Sequence, residues 1–280
     1  MADTAFQTQY RQEFVAAFEE GQSWLRSTCV TEAVIKGNTA TFLVAGSGGA
    51  TATTRGVNGL IPARADDLTQ TSATLAEWHD LVRKTGFNIF ASQGDQRRIM
   101  QETTVKVINR KIDADIIAQL DTATVDTGVT ATATVGMVAK SLAILGVAEV
   151  PIQEEDRMFG VVTPGFMAYL MQIPEFASAD YVEVKPFSGP VRRLRRWFGV
   201  NWIVHPNLTG VGTATEKTYL YHRDSLGHAM ETGAGLKTAV GYDNEQDYSF
   251  ARCSGIFGSK LLQNTGIVQM VHDGSAYVGS

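Results

Sequence analysis

The side chains that could carry acid–base or metal chemistry are five histidines, two cysteines and one run of acids. His222 and His228 are six positions apart, so they would not face one metal ion from the same side of a helix, and we expect the histidines to be solvated or hydrogen-bonded for structure. Cys29 and Cys253 have no metal-ligand spacing and are expected to be reduced thiols. The acids Glu154–Asp156 fall in a predicted loop and are more typical of a solvated surface than of an acid–base pair. The sequence predicts no catalytic residue, no metal site and no cofactor.

Two glycine-rich segments resemble phosphate-binding loops only in composition. Gly46–Gly49 lacks the Gly-Lys-Ser/Thr sequence of a P-loop and lies on a predicted hairpin rather than before a helix. Gly210–Gly212 follows a predicted strand, but no helix begins after it to place an N-terminus on a pyrophosphate. No serine has the Gly-X-Ser-X-Gly surroundings of a hydrolase nucleophile. Neither nucleotide binding nor serine hydrolysis is therefore predicted.

The densest charge feature is a run of arginines that ends at Trp197. Such a run could contact nucleic acid, or it could form ion pairs with acids on an adjacent subunit. The chain has 24 basic and 29 acidic residues and a formal net charge of -5, which does not suit a protein that binds nucleic acid by neutralising phosphates. We favour ion pairs between subunits and keep nucleic-acid contact as the alternative. The run consists of Arg192, Arg193, Arg195 and Arg196.

The composition is that of an ordinary globular protein. With 280 residues, 44% of them hydrophobic and 19% charged, the chain can bury a substantial core as one large domain or two smaller ones. The most apolar stretch, Met137–Val150, is interrupted by Lys140 and Glu149 and is too short to span a bilayer. No secretory signal is visible at the N-terminus. We expect a soluble protein that is made in the cytoplasm and has no membrane partner.

The N-terminal segment predicts a helix with an aromatic stripe. Four aromatic residues recur at every fourth position and would line one face, and Gly21 would end the helix. Such a stripe must be covered, either by the core of its own chain or by a neighbouring subunit. The stripe consists of Phe6, Tyr10, Phe14 and Phe18.

A long hairpin is predicted next. Apolar and polar residues alternate over 30–44 around a turn at Lys36–Asn38, which indicates two antiparallel strands. The tip that follows is rich in glycine and threonine, and Gly48 and Gly49 make it easy to bend. Because a long hairpin cannot bury both faces by itself, it is expected to reach away from the body as an arm. The predicted return strands are Thr74–Arg83 and Phe87–Phe90.

The clearest element is a long helix over Asp95–Leu120. This segment contains neither glycine nor proline, and about 25 helical residues would extend roughly 40 Å. Six apolar residues form a nearly continuous stripe along it, which predicts a buried face. They are Met100, Val105, Ile108, Ile112, Ile116 and Leu120.

Strands and helices alternate irregularly in the rest of the chain, which indicates the α+β class. One helix is predicted after the capping residue Thr134, a short one is predicted to begin at Pro164, and another short one to cover Asp224–Met230. The last segment, Tyr248–Val271, reads as two strands broken by Gly255 and Gly258. The other predicted strands are Phe159–Thr163, Tyr181–Val184, Val200–Val204 and Tyr219–His222.

Four stretches carry a resemblance to a known family. They are a strand leading into a short helix, an aromatic strand ending in a turn, a short helix, and a final pair of strands: Val161–Leu170, Trp197–Leu208, Tyr221–Ala229, and Ile256–Leu262 with Gly266–Met270. Their order, after a helical arm, a hairpin and a long helix, is more specific than any one of them. In this order the chain resembles the major capsid proteins of tailed bacteriophages, which have the Hong Kong 97 type fold.

The resemblance implies a division of the chain into five parts. An N-terminal arm would cover residues 1–28, the extended hairpin or E-loop 29–92, and a P-domain with its spine helix 93–132. The A-domain would cover 133–243, and return strands 244–280 would complete the P-domain.

The same resemblance implies a structural role rather than an enzymatic one. The subunit would self-assemble as hexamers and pentamers into an icosahedral shell around double-stranded phage DNA, to which it would be close without specific binding. A separate scaffolding protein and a portal protein at one vertex would be partners, and a decoration protein is left open. No lysine, asparagine and glutamate set for an isopeptide bond can be placed, so non-covalent locking is expected. The protein would be found in the virion.

Two other function classes are kept as alternatives. An encapsulin-like shell would share the fold but enclose protein cargo instead of DNA, and a hydrolase with an unrecognised site would form no shell. The residues predicted to contact neighbouring subunits are Phe6, Tyr10, Phe14, Phe18, Gly48, Gly49, Arg192, Arg193, Arg195 and Arg196.

Overall fold

The computed structural model describes residues 22–31, 33–47, 49–64, 67–91, 96–173, 194–231 and 236–277. The strand predicted at Tyr181–Val184 and the N-terminal helix lie outside these residues. The described chain forms two compact units. The larger one contains 24–76, 112–230 and 257–277, and the smaller one contains 77–111 and 231–256 with the two residues before Trp24.

Thirteen strands and four helices are present in the described residues. The helices are α1 (Gly86–Ala91), α2 (Gln96–Leu120), α3 (Val135–Val147) and α4 (Pro164–Met171). The strands are β1 (Val34–Lys36), β2 (Thr39–Gly46), β3 (Asp67–Thr74), β4 (Ala76–Thr85), β5 (Asp126–Thr130), β6 (Met158–Val162), β7 (Leu194–Trp197), β8 (Val200–Val204), β9 (Glu216–His222), β10 (Leu226–Met230), β11 (Lys237–Asp243), β12 (Tyr248–Leu261) and β13 (Ile267–His272). The mixture confirms the α+β class.

The hairpin is present, but its return strand lies earlier than predicted. The turn between β1 and β2 is the predicted one, and Gly37 occupies it with a φ of 61°. β3 pairs with β2 along its whole length, from Thr39 opposite Thr74 to Gly46 opposite Asp67. A strand, β4, does cover most of the predicted Thr74–Arg83 segment, but it pairs with β12 and is not the return strand of the hairpin. β3 is mostly polar on both faces, with Leu68 as its one large apolar side chain, and therefore has no hydrophobic alternation to reveal it.

The long helix is confirmed as α2. Five members of its predicted stripe are buried, and Val105 is half-buried. Those five are Met100, Ile108, Ile112, Ile116 and Leu120. Among the described residues, no helix combines the length and the apolar character that a bilayer span requires.

A six-stranded mixed sheet forms the centre of the larger unit, in the order β5-β13-β9-β6-β8-β7. The pairs β5–β13 and β6–β8 are parallel, and the other three pairs are antiparallel. α3 and α4 contribute Val138 and Phe166 to the core beside the sheet, where Phe166 stacks on Trp202 with ring centroids 6.3 Å apart. Gly160 leaves room for the Trp202 ring, since a Cβ there would lie 2.7 Å from it.

The predicted Thr134 cap of α3 is confirmed, and Thr163, predicted as the end of a strand, caps α4 in the same way. The Thr134 hydroxyl accepts the Met137 N–H at 3.2 Å, and the Thr163 hydroxyl accepts the Phe166 N–H at 3.1 Å. Each cap satisfies an amide that has no partner within the first helical turn.

Three other local predictions are wrong. Phe87–Phe90 belongs to helix α1 rather than to a strand. The segment Asp224–Met230 is a short turn followed by strand β10, whose five residues are all buried, so that no polar face marks a period. β12 continues through both Gly255 and Gly258. At Gly258 the missing side chain lets the strand approach the Thr74 carbonyl, so this glycine serves close packing rather than strand termination.

Candidate functional site

Three of the predicted contact residues fall within the described chain. Gly49 lies in the exposed tip with a φ of 71°, which favours glycine. Arg195 lies in β7 opposite Trp202, and Arg196 follows it opposite Asn201. The other candidates lie outside the described residues: Phe6, Tyr10, Phe14, Phe18, Gly48, Arg192 and Arg193.

Arg196 is held by acids of its own chain. Its guanidinium lies 2.6 Å from an Asp156 oxygen and 3.3 Å from a Glu155 oxygen. Its Nε donates to the Asn201 side-chain oxygen at 3.3 Å. Arg196 therefore pairs with Glu155 and Asp156 within one chain, whereas the predicted ion pairs join adjacent subunits. About half of the Arg196 side chain stays exposed, so its contact with a neighbouring subunit is still a prediction.

A buried amide orients the acids that hold Arg196. Asn201 is only 2% exposed, and its side-chain N–H groups donate to the carbonyl oxygens of Glu155 at 2.6 Å and Met158 at 3.1 Å. The loop that carries the acids is thus fixed to β8. Exposed ion pairs contribute at most about 1 kcal/mol. The buried hydrogen bonds of Asn201, rather than the ion pairs, therefore fix the position of the loop that carries Glu155 and Asp156.

Four of the five histidines are buried in the larger unit. His205 lies 3.4 Å from the buried carboxylate of Asp113, which also accepts the backbone N–H groups of Trp24 and Leu25 at 3.2 Å each. This carboxylate joins the segment before the hairpin to α2 and to the end of β8. The cluster is buried and hydrogen-bonded, so its role is structural. The buried histidines are His205, His222, His228 and His272.

Glu216 and His272 form a second buried pair. The two side chains are 1% and 0% exposed, and their nearest atoms are 3.4 Å apart. Glu216 also accepts the Gly212 N–H at 2.7 Å and a hydrogen bond from the Thr163 hydroxyl. Burial lowers the pKa of His272, while the neighbouring Glu216 charge opposes that shift. Because neither side chain reaches solvent, the pair cannot contact a substrate.

A third polar cluster forms around Asp121, immediately after α2. The Tyr219 hydroxyl and the Thr209 hydroxyl each donate to its carboxylate at 2.5 Å, and the Lys217 ammonium lies 3.3 Å away. Burial raises the pKa of Tyr219, and the Asp121 charge adds to the shift. Lys217 and Tyr219 lie on one face of β9, but no feature of the sequence predicts that Asp121 is their partner.

The described part of the chain contains no site suited to metal binding or to thiol chemistry. Within it, no group of three or more histidine, cysteine or acidic side chains could hold a metal ion. Both cysteines are free, as predicted, and buried. Burial raises the pKa of Cys29 to about 12, which keeps its thiol protonated and unreactive at neutral pH.

The hairpin exposes apolar side chains to an unusual degree. In the tip, Val57 is fully exposed and Leu60 and Ile61 are about two-thirds to three-quarters exposed. In the strands, Val34 and Leu43 are also more than half exposed and border a groove of about 660 Å³. Exposed apolar side chains that cluster in this way mark an interaction surface.

Comparison with known families identifies the family of this chain. The model of the family described as "Phage capsid protein" matches residues 2–273. The chain belongs to the phage capsid protein family. The capsid protein has no significant match among curated protein sequences.

Solved structures share the fold of this capsid protein. A chain of Mycobacterium phage Che8 superposes with a TM-score of 0.71 at 16% identity, with 96% of this chain and 98% of that chain covered. For Gordonia phage Cozz the values are 0.71, 12%, 96% and 91%. For the capsid of Ralstonia phage GP4 they are 0.69, 12%, 97% and 96%. The predicted major capsid fold is thereby confirmed.

Family membership also confirms the predicted role. The capsid protein is a structural subunit of the virion shell and not an enzyme, and it self-assembles. The cargo-enclosing alternative is not favoured.

Proposed function

We propose that the capsid protein forms pentamers and hexamers with itself, and that these close an icosahedral shell around double-stranded phage DNA. Solved structures described as capsids share its fold, among them the capsid of Ralstonia phage GP4 and the capsid of a native GTA particle computed with C5 symmetry. The observation that carries the proposal is the exposed apolar hairpin. Val57, Leu60 and Ile61 would remain in water in a monomer, and a neighbouring subunit is the surface that a shell provides for them.

We propose that different parts of the five-part division make different contacts between subunits. The hairpin of residues 29–92 would lie across a neighbour, and the body of residues 133–243 would meet its copies around each capsomer axis. The half-exposed Arg196, with Glu155 and Asp156, would lie at that second contact. A weak pair repeated around a ring contributes at every interface, so many modest contacts add up while single errors stay reversible.

The charge of the protein suits a shell wall that does not grip DNA. A formal net charge of -5 does not favour tight binding to phosphates. Packaged DNA would therefore lie close to the wall without specific contacts. Contact of the arginine run with DNA is the alternative that the mutational test below distinguishes.

Other partners are proposed from the family resemblance. A scaffolding protein would guide assembly, a portal protein would occupy one vertex, and a decoration protein is left open. Subunits would be locked without a covalent bond between chains.

Purified protein, with and without its scaffolding protein, tests the proposal. We expect capsomers or shells in sedimentation velocity and in electron micrographs. A strictly monomeric species at high concentration under both conditions would contradict it. DNA-free particles filled with a cellular enzyme would instead support the cargo-enclosing alternative.

A further inference from the structure

The two strands beside β2 have very different lengths. β3 pairs with all eight residues of β2, whereas β1 pairs only with Thr39, Ala40 and Thr41. Residues 42–46 of β2 therefore have a strand on one side only, within the chain that the structure describes. This segment is an open sheet edge.

The register identifies the backbone groups that face the open side. Lys36 and Thr39 flank the two-residue turn and form the hydrogen-bonded pair that closes it. Because hydrogen-bonding direction alternates along an antiparallel strand, Thr41, Leu43 and Ala45 direct their N–H and C=O groups toward the β1 side. Beyond the end of β1, no described strand lies opposite these groups of Leu43 and Ala45.

An apolar groove accompanies this edge. Val30, Val34, Leu43 and Leu262 are among its lining residues, and its volume is about 660 Å³. Asp224 is the charged residue of the lining, and 42% of its side chain is exposed although it pairs with Arg157 at 2.9 Å. An open edge beside apolar pockets is the arrangement that binds an extended segment by strand addition.

Residues 51–64 of the hairpin tip have the properties of a strand that would cover this open edge. Its residues are exposed and belong to no strand. It begins with the threonine-rich, strand-favouring segment 51–54 and carries the exposed apolar side chains of Val57, Leu60 and Ile61. It contains Arg55 and Arg64 and no acid, which complements Asp224. The open edge is about 17 Å long, so a segment of this length is sufficient to cover it.

We propose that residues 42–46 of β2 receive the hairpin tip, residues 51–64, of a second copy as an added strand. Leu43 and Ala45 form the backbone hydrogen bonds, and apolar side chains of the tip fill the groove. This contact deepens the proposed shell-building function and rests on it. It joins the hairpins of different subunits directly, because each hairpin would supply its tip to one neighbour and would receive the tip of another neighbour along β2.

Two substitutions test the edge, and one provides a matched control. Ala45→Pro removes an N–H that faces the open side and leaves the β2–β3 ladder intact, and Leu43→Asp places a charge in the groove. Leu68→Asp changes an equally apolar side chain of β3 that is 53% exposed, against 63% for Leu43. We expect the first two variants to reduce the assembled fraction roughly tenfold or more, and Leu68→Asp to assemble nearly as well as wild type. Thermal unfolding of the unassembled subunits checks that all three fold.

Cross-linking identifies the occupant of the edge. Ala45→Cys protein is mixed with Ala52→Cys or Ala63→Cys protein, assembled and oxidised. A disulfide between two chains is expected in at least one mixture, and only after assembly. A cross-link within one chain, in the Ala45→Cys/Ala52→Cys double variant before assembly, would show that each tip folds back on its own edge and would overturn the proposal.

The failures of the two proposals are distinguishable. If wild-type shells form and both Leu43→Asp and Ala45→Pro assemble as well as wild type, the strand-addition contact is refuted while the shell function stands. If wild-type protein forms no particles under any condition, the shell function fails and this contact fails with it.

Discussion

Individual buried polar side chains connect separate elements of the larger unit. Asp113 accepts hydrogen bonds from two backbone amides before the hairpin and lies against His205. Glu216 connects Thr163, Gly212 and His272. Burying such groups is costly unless each is paired, and removing one partner leaves the other unsatisfied. These residues therefore specify how the elements fit together rather than any chemistry.

Acid should destabilise the subunit through its buried histidines. Burial lowers the pKa of His228 from 6.5 to about 4, aided by the Arg26 charge and opposed by Asp113. The unfolded chain then binds more protons than the folded one between these values, so stability is lost as the pH falls from about 6.5 toward 4. The loss from His228 reaches roughly 3 kcal/mol at most.

Denaturant unfolding of unassembled subunits at pH 7 and pH 5 measures this effect. His228→Asn keeps a partner for the Ser259 hydroxyl, which lies 3.0 Å from the ring, but removes the titrating group. We expect this variant to show a weaker pH dependence. Some dependence should remain, because burial also lowers the pKa of His222 and of His272. An unchanged pH dependence would contradict the assignment.

Gly274→Ala should destabilise the subunit. A Cβ at this position would overlap the buried carboxylate of Glu216, which Thr163 and Gly212 hold in place. Such overpacking costs about 1–3 kcal/mol. Gly136→Ala is the matched control, since its new methyl group would come no closer than 3.7 Å to its nearest neighbour in an α-helix. Equal melting temperatures for the two variants would show that the Glu216 site adapts.

At the scale of elements, α2 and the hairpin differ in how far their apolar side chains are buried. One face of α2 is buried along most of its length, so its stability depends on apolar contact within the chain. The hairpin buries little beyond its root, where Phe42 packs on Gly227, which has no side chain to obstruct the ring. The tip is therefore exposed among the described residues, whereas one face of the spine helix is buried by them.

Ile116→Asp should prevent folding of the larger unit. Ile116 is fully buried, and an unpaired charge there would cost on the order of several kcal/mol. We expect insoluble protein and no particles. Val107→Asp, on the same helix but 39% exposed, is the control and should remain soluble. A wild-type particle yield from Ile116→Asp would mean that the stripe is not buried in the assembled protein.

At the scale of the whole molecule, Arg196 lies in β7, the edge strand of the six-stranded sheet, and is expected to contact a neighbouring subunit in a shell. Arg196 forms ion pairs with Glu155 and Asp156 within the chain. All three side chains remain about half exposed or more, so each could also meet an acid or a cation of a neighbour. We expect that contact to act between subunits rather than on DNA, given the net charge of -5.

Reversing Arg195 and Arg196 to glutamate should block capsomer formation before any DNA is present. Like charges would then face each other within the chain and at each repeated interface. Gel filtration and electron microscopy of DNA-free assembly reactions measure the effect. Normal empty shells combined with a defect confined to DNA packaging would show that the arginines face the lumen instead.

The sequence alone predicted the elements whose pattern repeats locally. α2 was predictable because a 25-residue stretch without glycine or proline repeats its apolar residues on one face. Thr134 was predictable as a cap, Pro164 as a helix start and Gly37 as a turn residue, because each acts on backbone within a few positions of itself. The order of such elements was enough to indicate the capsid fold, since that order is a property of the chain itself.

Only the tertiary structure decided which residues meet. β3 and β10 could not be predicted because β3 is mostly polar on both faces and β10 is buried on both, so neither shows a period of two. The pairing of Arg196 with acids 40 and 41 positions away, and the cluster around Asp121, depend on strands brought together from distant parts of the chain. Local patterns report whether a face meets water or core, but they do not report which partner lies opposite, because that choice is made by the packing of the whole fold.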